Sequence, residues 1–246
     1  MKKILLLLLL LPLSLFAKVP IEDDIVDKIN DPTSQYYYPN LFLRFNNGGS
    51  FTAEEFHYLY YGFAYNELYK PLEVNDKIDR VLLLASSLDP AAPSMQTLDN
   101  IVISANEALV HNPFSPTLWN LLAYAYGALG DSTREKMSFD RFNLILSTID
   151  SSGDGLKEKS PKHIIMFDHA LDLLTTQGVA HQKAKVISRT VEYIAFNDNL
   201  RDGGDGKKVK GLFFDFGRIY WNKPDNVTYK RDRTWQFNDL KPKEYK

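Results

Sequence analysis

The sequence predicts an α+β fold, mainly α: tetratricopeptide-like antiparallel helix pairs followed by a small antiparallel β region. Three observations predict it. Apolar residues recur at helical spacing between residues 52 and 149, with capping signals where segments begin. One stretch carries the spacing of a helical-repeat signature. After Asp150-Ser151-Ser152-Gly153-Asp154-Gly155 the composition turns to short runs of Val, Ile, Thr, Tyr and Phe.

Lys2 and Lys3, the apolar run over residues 4–11 and Leu15-Phe16-Ala17 have the three parts of a secretory signal. Residues 1–17 are therefore expected to be removed on export to the bacterial periplasm or the cell exterior. The apolar stretch is roughly a dozen residues, against the about 20 that a membrane span needs. The chain has no cysteine, which closes the lipoprotein route and excludes disulfides, thiolate metal sites and a cysteine nucleophile. Formal net charge is −2. Loss of Lys2 and Lys3 makes the mature chain more acidic, which argues against a nucleic-acid partner. With 14 Tyr and 15 Phe, aromatic side chains either fill the gaps between helices or line a recognition surface.

Residues 18–35 are polar, end in Asp31-Pro32-Thr33-Ser34, and read as a short leader. The helical body occupies residues 36–150. Tyr36-Tyr37-Tyr38-Pro39 opens a short helix through Leu41-Phe42-Leu43-Arg44-Phe45, which turns at Asn46-Asn47-Gly48-Gly49. Thr52-Ala53-Glu54-Glu55 has the spacing of a capping box: the Thr52 hydroxyl accepts from the Glu55 N–H, and the Glu55 carboxylate accepts from the Thr52 N–H. Phe56, Leu59, Tyr60 and Phe63 follow at helical spacing, and this helix ends near Tyr65. A helix over 74–88 puts Ile78, Leu82 and Ala85 on one face. The next runs over 94–111 and stops before Pro113. Ser115-Pro116 starts another with a hydroxyl cap and proline in the first turn, and it ends at Gly130. Asp131 or Ser132 caps the last, which reaches about Ile149.

Ala108, Pro113, Trp119, Leu122, Ala123, Tyr126 and Phe139 fall where a tetratricopeptide array places its signature residues. Ala123 stands where glycine is usual. Glu135 stands where alanine is usual, which spoils the close helix contact at that point. The alternative is an ordinary antiparallel helix pair. Both readings pack Trp119, Leu122 and Tyr126 against Phe139 and Phe142, with Trp119 buried.

A small β-containing region occupies residues 151–220. In residues 163–176, Ile164-Ile165-Met166-Phe167 reads as a buried strand and the stretch 171–174 as a short helix, stopped by Gly178. Residues 185–196 read as one strand. Gly211-Leu212-Phe213-Phe214-Asp215-Phe216 reads as another, able to pair antiparallel with it across a turn-rich loop. Residues 221–246 form a polar tail whose basic and aromatic residues suit an anionic lipid or a protein partner better than nucleic acid. Peripheral association with the envelope is therefore an expectation.

Two blocks carry a family resemblance. One is Leu43-Arg44-Phe45, Gly48-Gly49, Phe51-Thr52 and Leu59-Tyr60-Tyr61-Gly62; the other is Gly153-Asp154-Gly155, Gln182, Asn197 and Leu212-Phe213-Phe214-Asp215. In order and spacing they resemble an exported bacterial family known as a domain of unknown function, number 4919 in its series, over nearly all of the mature chain. Phe167-Asp168-His169-Ala170 departs from the acidic-acidic-Tyr run of that family. The resemblance implies that the chain is one unit. It implies no activity, substrate or cofactor.

No nucleophile elbow, dinucleotide fingerprint, phosphate loop or His-Glu-x-x-His run is present, so no catalytic, cofactor-binding or metal-ligating residue is assigned. Asp150, Ser152 and Asp154 with Gly155 open like a calcium loop, but the closing position holds Pro161. Asp202 and Asp205 form a second acidic loop beside Lys207 and Lys208. His163, Asp168, His169 and Asp172 are the densest polar cluster, read first as solvated residues beside a short helix. Between Phe56 and Tyr65 there are more aromatic residues than one helix stripe can bury. Either that helix is sandwiched between others, the commoner outcome, or Tyr58, Tyr61 and Tyr65 line a recognition surface. The expected function is a non-enzymatic interaction or scaffold protein of the bacterial envelope with an unidentified protein or peptide partner. The alternative is an envelope hydrolase between body and β region, built on Asp168 and His169.

Overall fold

Local capping decides where half of the described α-helices begin. In the computed structural model, which describes residues 18–89, 92–197, 201–202 and 208–221, Thr52 starts α3 (Ala53–Gly62) with both bonds of its capping box. They are 3.1 Å from the Glu55 N–H to the Thr52 hydroxyl and 2.9 Å from the Thr52 N–H to the Glu55 carboxylate. Asn75 caps α4 (Asp76–Ser86), Ser115 caps α6 (Pro116–Ala128) and Asp131 caps α7 (Ser132–Asp150). The remaining helices of the body are α1 (Glu22–Asn30), α2 (Tyr38–Asn46) and α5 (Met95–Leu109). The expected signal peptide and the tail beyond Trp221 lie outside the described residues, as do the side chains of the Asp202–Asp205 loop.

The fold is α+β and mainly α. The pairs α4–α5, α5–α6 and α6–α7 stack in chain order. In the α6–α7 pair, Trp119, Leu122 and Tyr126 are buried together with Phe142 and Ile145. The Trp119 Nε1–H donates to the Pro113 carbonyl at 2.8 Å. Phe139, expected in this contact, is 52% exposed, because α7 turns the Phe142–Ile145–Ile149 stripe inward instead. A Cβ on Gly127 would come within 2.9 Å of the Glu135 carboxyl. The close approach that alanine at 135 would provide is supplied from the opposite helix.

Two further expectations are corrected. Residues 18–35 are not a leader: α1 fills half of that stretch, and Ile25 and Ile29, one turn apart, enter the core. In α4 the inward stripe is Ile78, Val81 and Ala85, with Val81 fully buried, while Leu82 is 43% exposed at its edge.

The C-terminal region contains β1 (Lys162–His163), α8 (Asp168–Thr176), β2 (Lys185–Val186), β3 (Val191–Ala195), β4 (Arg201–Asp202), β5 (Lys208–Val209), β6 (Gly211–Asp215) and a final 3₁₀ turn (Gly217–Tyr220). The main sheet has the order β1-β6-β3-β2. β3 pairs antiparallel with β6, as expected, but β1 pairs parallel with β6, so the sheet is mixed rather than antiparallel. The long connection through α8 and the hairpin allows this. The expected strand over 185–196 is a β2–β3 hairpin, closed where the Ile187 and Ser188 N–H groups reach the Val191 carbonyl. Ile164 and Ile165 are fully buried without being strand. One apolar core runs from Ile25 through α3 and α7 to Ile219.

Because Ile25 is a core residue, Ile25→Ala should destabilise the protein by about 2–5 kcal/mol in urea unfolding. A change near zero would return residues 18–35 to the status of a leader.

Candidate functional site

Beyond its exposed first turn, helix α3 has no solvent face. It is covered by α1, α2 and α7, and every residue from Phe56 to Tyr65 is buried. Tyr58, Tyr61 and Tyr65 therefore form no recognition surface. Their bodies fill the core, and the hydroxyls of Tyr58 and Tyr61 act as fasteners. Tyr58 donates to Asp24 at 2.8 Å and accepts from Lys28 at 3.0 Å. Tyr61 donates to the His163 carbonyl at 3.0 Å, and Tyr65 packs edge-on against Trp221. Two more phenols reach the same region: Tyr60 meets His169 Nδ1 at 2.7 Å, and Tyr69 donates to the Ile165 carbonyl at 2.7 Å.

The four polar residues singled out from the sequence do not converge. His169 is buried against Tyr60, and burial keeps its pKa low. Asp172 caps the start of α6 by accepting from the Thr117 hydroxyl at 2.7 Å and the Thr117 N–H at 3.3 Å. Burial lifts its pKa to about 6. Asp168 is exposed in the first turn of α8. His163 points elsewhere, with Nδ1 3.3 Å from Arg218 Nη1. Among the described residues no group of three or more His, Asp or Glu is placed to hold a metal ion.

His163 instead joins a buried seam that sequence spacing did not reveal. The Arg218 guanidinium lies 5.2 Å from the Tyr61 ring and 5.1 Å from the Trp221 ring, and donates to the Pro20 carbonyl at 3.0 Å. His57 stacks edge-on with Tyr61 at 4.9 Å, one helical turn away. Its Nδ1 is buried without a hydrogen-bond partner among the described residues. Burial, with Lys18 and Arg218 nearby and Asp24 opposing, lowers the His57 pKa to about 3. Burial, with Arg218 and His57, lowers His163 to about 3. The contributors come from α3, β1 and the two ends of the described chain, so no local motif announces them.

An open groove of about 730 Å³ lies between the turn after α2, one face of α7 and the end of α8. Met137, Asp140, Leu144 and Ser147 of α7 line it at helical spacing, facing Phe51 and Leu173. Lys136 and Asp140 pair at 2.6 Å along its wall. Beneath it Arg141 is buried, 4.8 Å from the Phe51 ring, and donates to the Gly49 carbonyl at 2.6 Å. The groove floor is thus held by the Gly48-Gly49 turn, one of the blocks noted in the sequence.

The model of the family described as Domain of unknown function (DUF4919) matches residues 23–224. The chain belongs to that family. No curated protein and no solved structure matches it. In this DUF4919 chain the conspicuous glycines sit where side chains would collide. A Cβ on Gly62 would come 2.9 Å from the Tyr38 ring, and one on Gly153 only 2.0 Å from the Pro161 carbonyl oxygen. The calcium-like loop already holds a cation: the buried Lys162 ammonium donates to the Asp150 and Gly153 carbonyls at 2.7 and 2.8 Å and pairs with the Asp150 carboxylate at 3.0 Å.

The seam has a pH signature. The unfolded chain protonates His57 near 6.5 and the folded chain only near 3, so folded stability is intact above 6.5 and falls as pH drops towards 3. Replacing the ring with an apolar one removes that loss. Between pH 7 and pH 5, His57→Phe should gain about 2 kcal/mol of unfolding free energy relative to the parent. Comparing the two proteins cancels the opposing contributions of Asp172 and other buried carboxyls. A pH-independent difference would show that His57 is not held neutral by the fold.

Proposed function

We propose that the protein is a non-enzymatic interaction protein of the bacterial envelope, and that the α7–α8 groove receives a segment of a protein or peptide partner. The groove carries this reading. Its volume lies within the range of ligand-binding clefts, and it sets apolar Phe51, Met137, Leu144 and Leu173 among Ser, Thr, Asn and Gln side chains. Its floor is held rigid by Arg141, so little ordering is required on binding. Export rests on the signal-like residues 1–17. No helix among the described residues is long and apolar enough to cross a membrane. The hydrolase alternative draws no support from the geometry, because His169 is engaged with Tyr60 in the core and Asp168 lies in solvent.

Photo-crosslinkers placed at Lys136 and Asn143 should capture an envelope protein in living cells. Met137→Arg combined with Leu144→Arg should reduce that capture about tenfold while leaving the melting temperature within a few degrees of the parent. Equal capture by the double variant would remove the groove as the site. No capture by the parent would remove the interaction reading altogether.

A further inference from the structure

The buried cations Arg141, Lys162 and Arg218 each meet backbone carbonyls, and the last two meet carboxylates as well, but one buried acid meets no such partner among the described residues. Side chains alternate along β3, so Glu192 and Ile194 share the face turned to the core. Glu192 is only 5% exposed. Its cross-strand neighbours are Val186 and Phe214, which offer it nothing polar. Its carboxyl has no hydrogen bond or ion pair among the described residues. Its oxygens are not sealed from solvent but open onto a cavity, where water or a bound cation can pair with them.

The Glu192 side chain lines a cavity of about 330 Å³ beside the start of α8. Phe167 and Leu171, one turn apart and both partly exposed, form an apolar wall. His181, Gln182, Lys183 and Ala184 form the other side. The Tyr220 ring stacks edge-on against Phe167 at 5.9 Å. His181 Nδ1 lies 3.0 Å from the Gln182 carbonyl. A carbonyl only accepts, so in the neutral ring Nδ1 carries the proton and Nε2 is left as an acceptor. Lys183 is exposed, with its ammonium free to stay in water.

We infer that this cavity binds an organic ammonium group carried on an apolar stem. Glu192 supplies the counter-charge, the His181 Nε2 a second acceptor, and the Phe167 and Leu171 wall takes the stem. Aromatic faces favour a cation over a neutral donor at such a place. Burial has lifted the Glu192 pKa to about 7, so binding the cation must drive off a proton near neutrality. The titratable or charged groups around Glu192 are His181 and Lys183 on the loop before β2 and Tyr220 on the final turn. The strands on either side add none at the facing positions. This site is separate from the α7–α8 groove and does not depend on that reading.

Calorimetry and NMR titration of the protein with phenethylamine, n-hexylamine, 2-phenylethanol and acetyl-Gly-Lys-Gly-amide test it. The two amines should bind at pH 8 at least about tenfold tighter than the alcohol. Their affinity should fall about 30-fold between pH 8 and pH 5.5 as Glu192 takes up its proton. Glu192→Gln keeps the volume and removes the unpaired acid, so it should fold normally, lose at least about tenfold in amine affinity and flatten the pH profile. His181→Gln should weaken amine binding but keep the part of the profile that Glu192 supplies. Tighter binding of the lysine peptide than of the free amines would identify a protein side chain as the natural source; the reverse order would identify a small amine. Three results would overturn the inference: equal binding of amine and alcohol, undiminished amine binding by Glu192→Gln, or loss of the pH profile in His181→Gln alone. Failure to bind any amine at about 50 mM, well beyond millimolar affinity, would do the same.

Discussion

Three phenol hydroxyls hold the two halves of this protein together. Tyr60, Tyr61 and Tyr69 reach from α3 and the loop after it to His169, the His163 carbonyl and the Ile165 carbonyl. Within this short segment β1 gives way to α8. A phenol buried without a partner would cost about 1–3 kcal/mol, so each bond holds the segment in one register. Strand β1, with β6 beside it, and α8, with its contacts to α6 and α7, inherit that placement. The surplus of aromatic residues in α3 thus serves the interior. It fills a helix enclosed on all sides beyond its first turn and supplies the polar tips that tie the next layer to it.

Buried cations make the other joints. Arg141 holds the turn after α2 through the Phe45 and Gly49 carbonyls. Lys162 holds the loop after α7 through the Asp150 and Gly153 carbonyls. Arg218 holds the start of the described chain through the Pro20 carbonyl. Each places a charge against carbonyls where the backbone turns back on itself. Burial lowers the Arg141 pKa to about 10, which still leaves it charged at neutral pH. Lys162 and Arg218 also meet the carboxylates of Asp150 and Glu22, and the half-buried Asp172 is met by the Thr117 hydroxyl and N–H. Glu192, with no such partner among the described residues, stands out against this pattern.

Helix α8 connects the two cavities. Its end, through Leu173, Thr176 and Gln177, borders the α7 groove. At its start, Phe167 just before the helix and Leu171 on its opposite face wall the Glu192 cavity. The middle of the helix is anchored by His169 on Tyr60 and Asp172 on Thr117. Two of the four polar residues singled out in the sequence, His169 and Asp172, thus position this helix. The surfaces open to ligands are built from residues that looked ordinary.

The sequence by itself determined what depends on near neighbours. The capping box at Thr52, the caps at Ser115 and Asp131 and the glycine stop after α8 are bonds or backbone states spanning a few residues, so composition and spacing reveal them. The 191–195 and 211–215 strands were legible because each is a contiguous run, and the membership in DUF4919 because two blocks keep their order and spacing. Tertiary structure decided which faces point inward. Helical spacing offered Leu82 in α4 and both Phe139 and Phe142 in α7 to the core; packing took Val81 in place of Leu82 and kept only Phe142 of the two phenylalanines. It also decided the candidate sites. Tyr60 and His169 are 109 residues apart, and Glu192 faces α8 only because the β2–β3 hairpin folds back over it. Contacts at that range depend on chain topology, which no local pattern encodes.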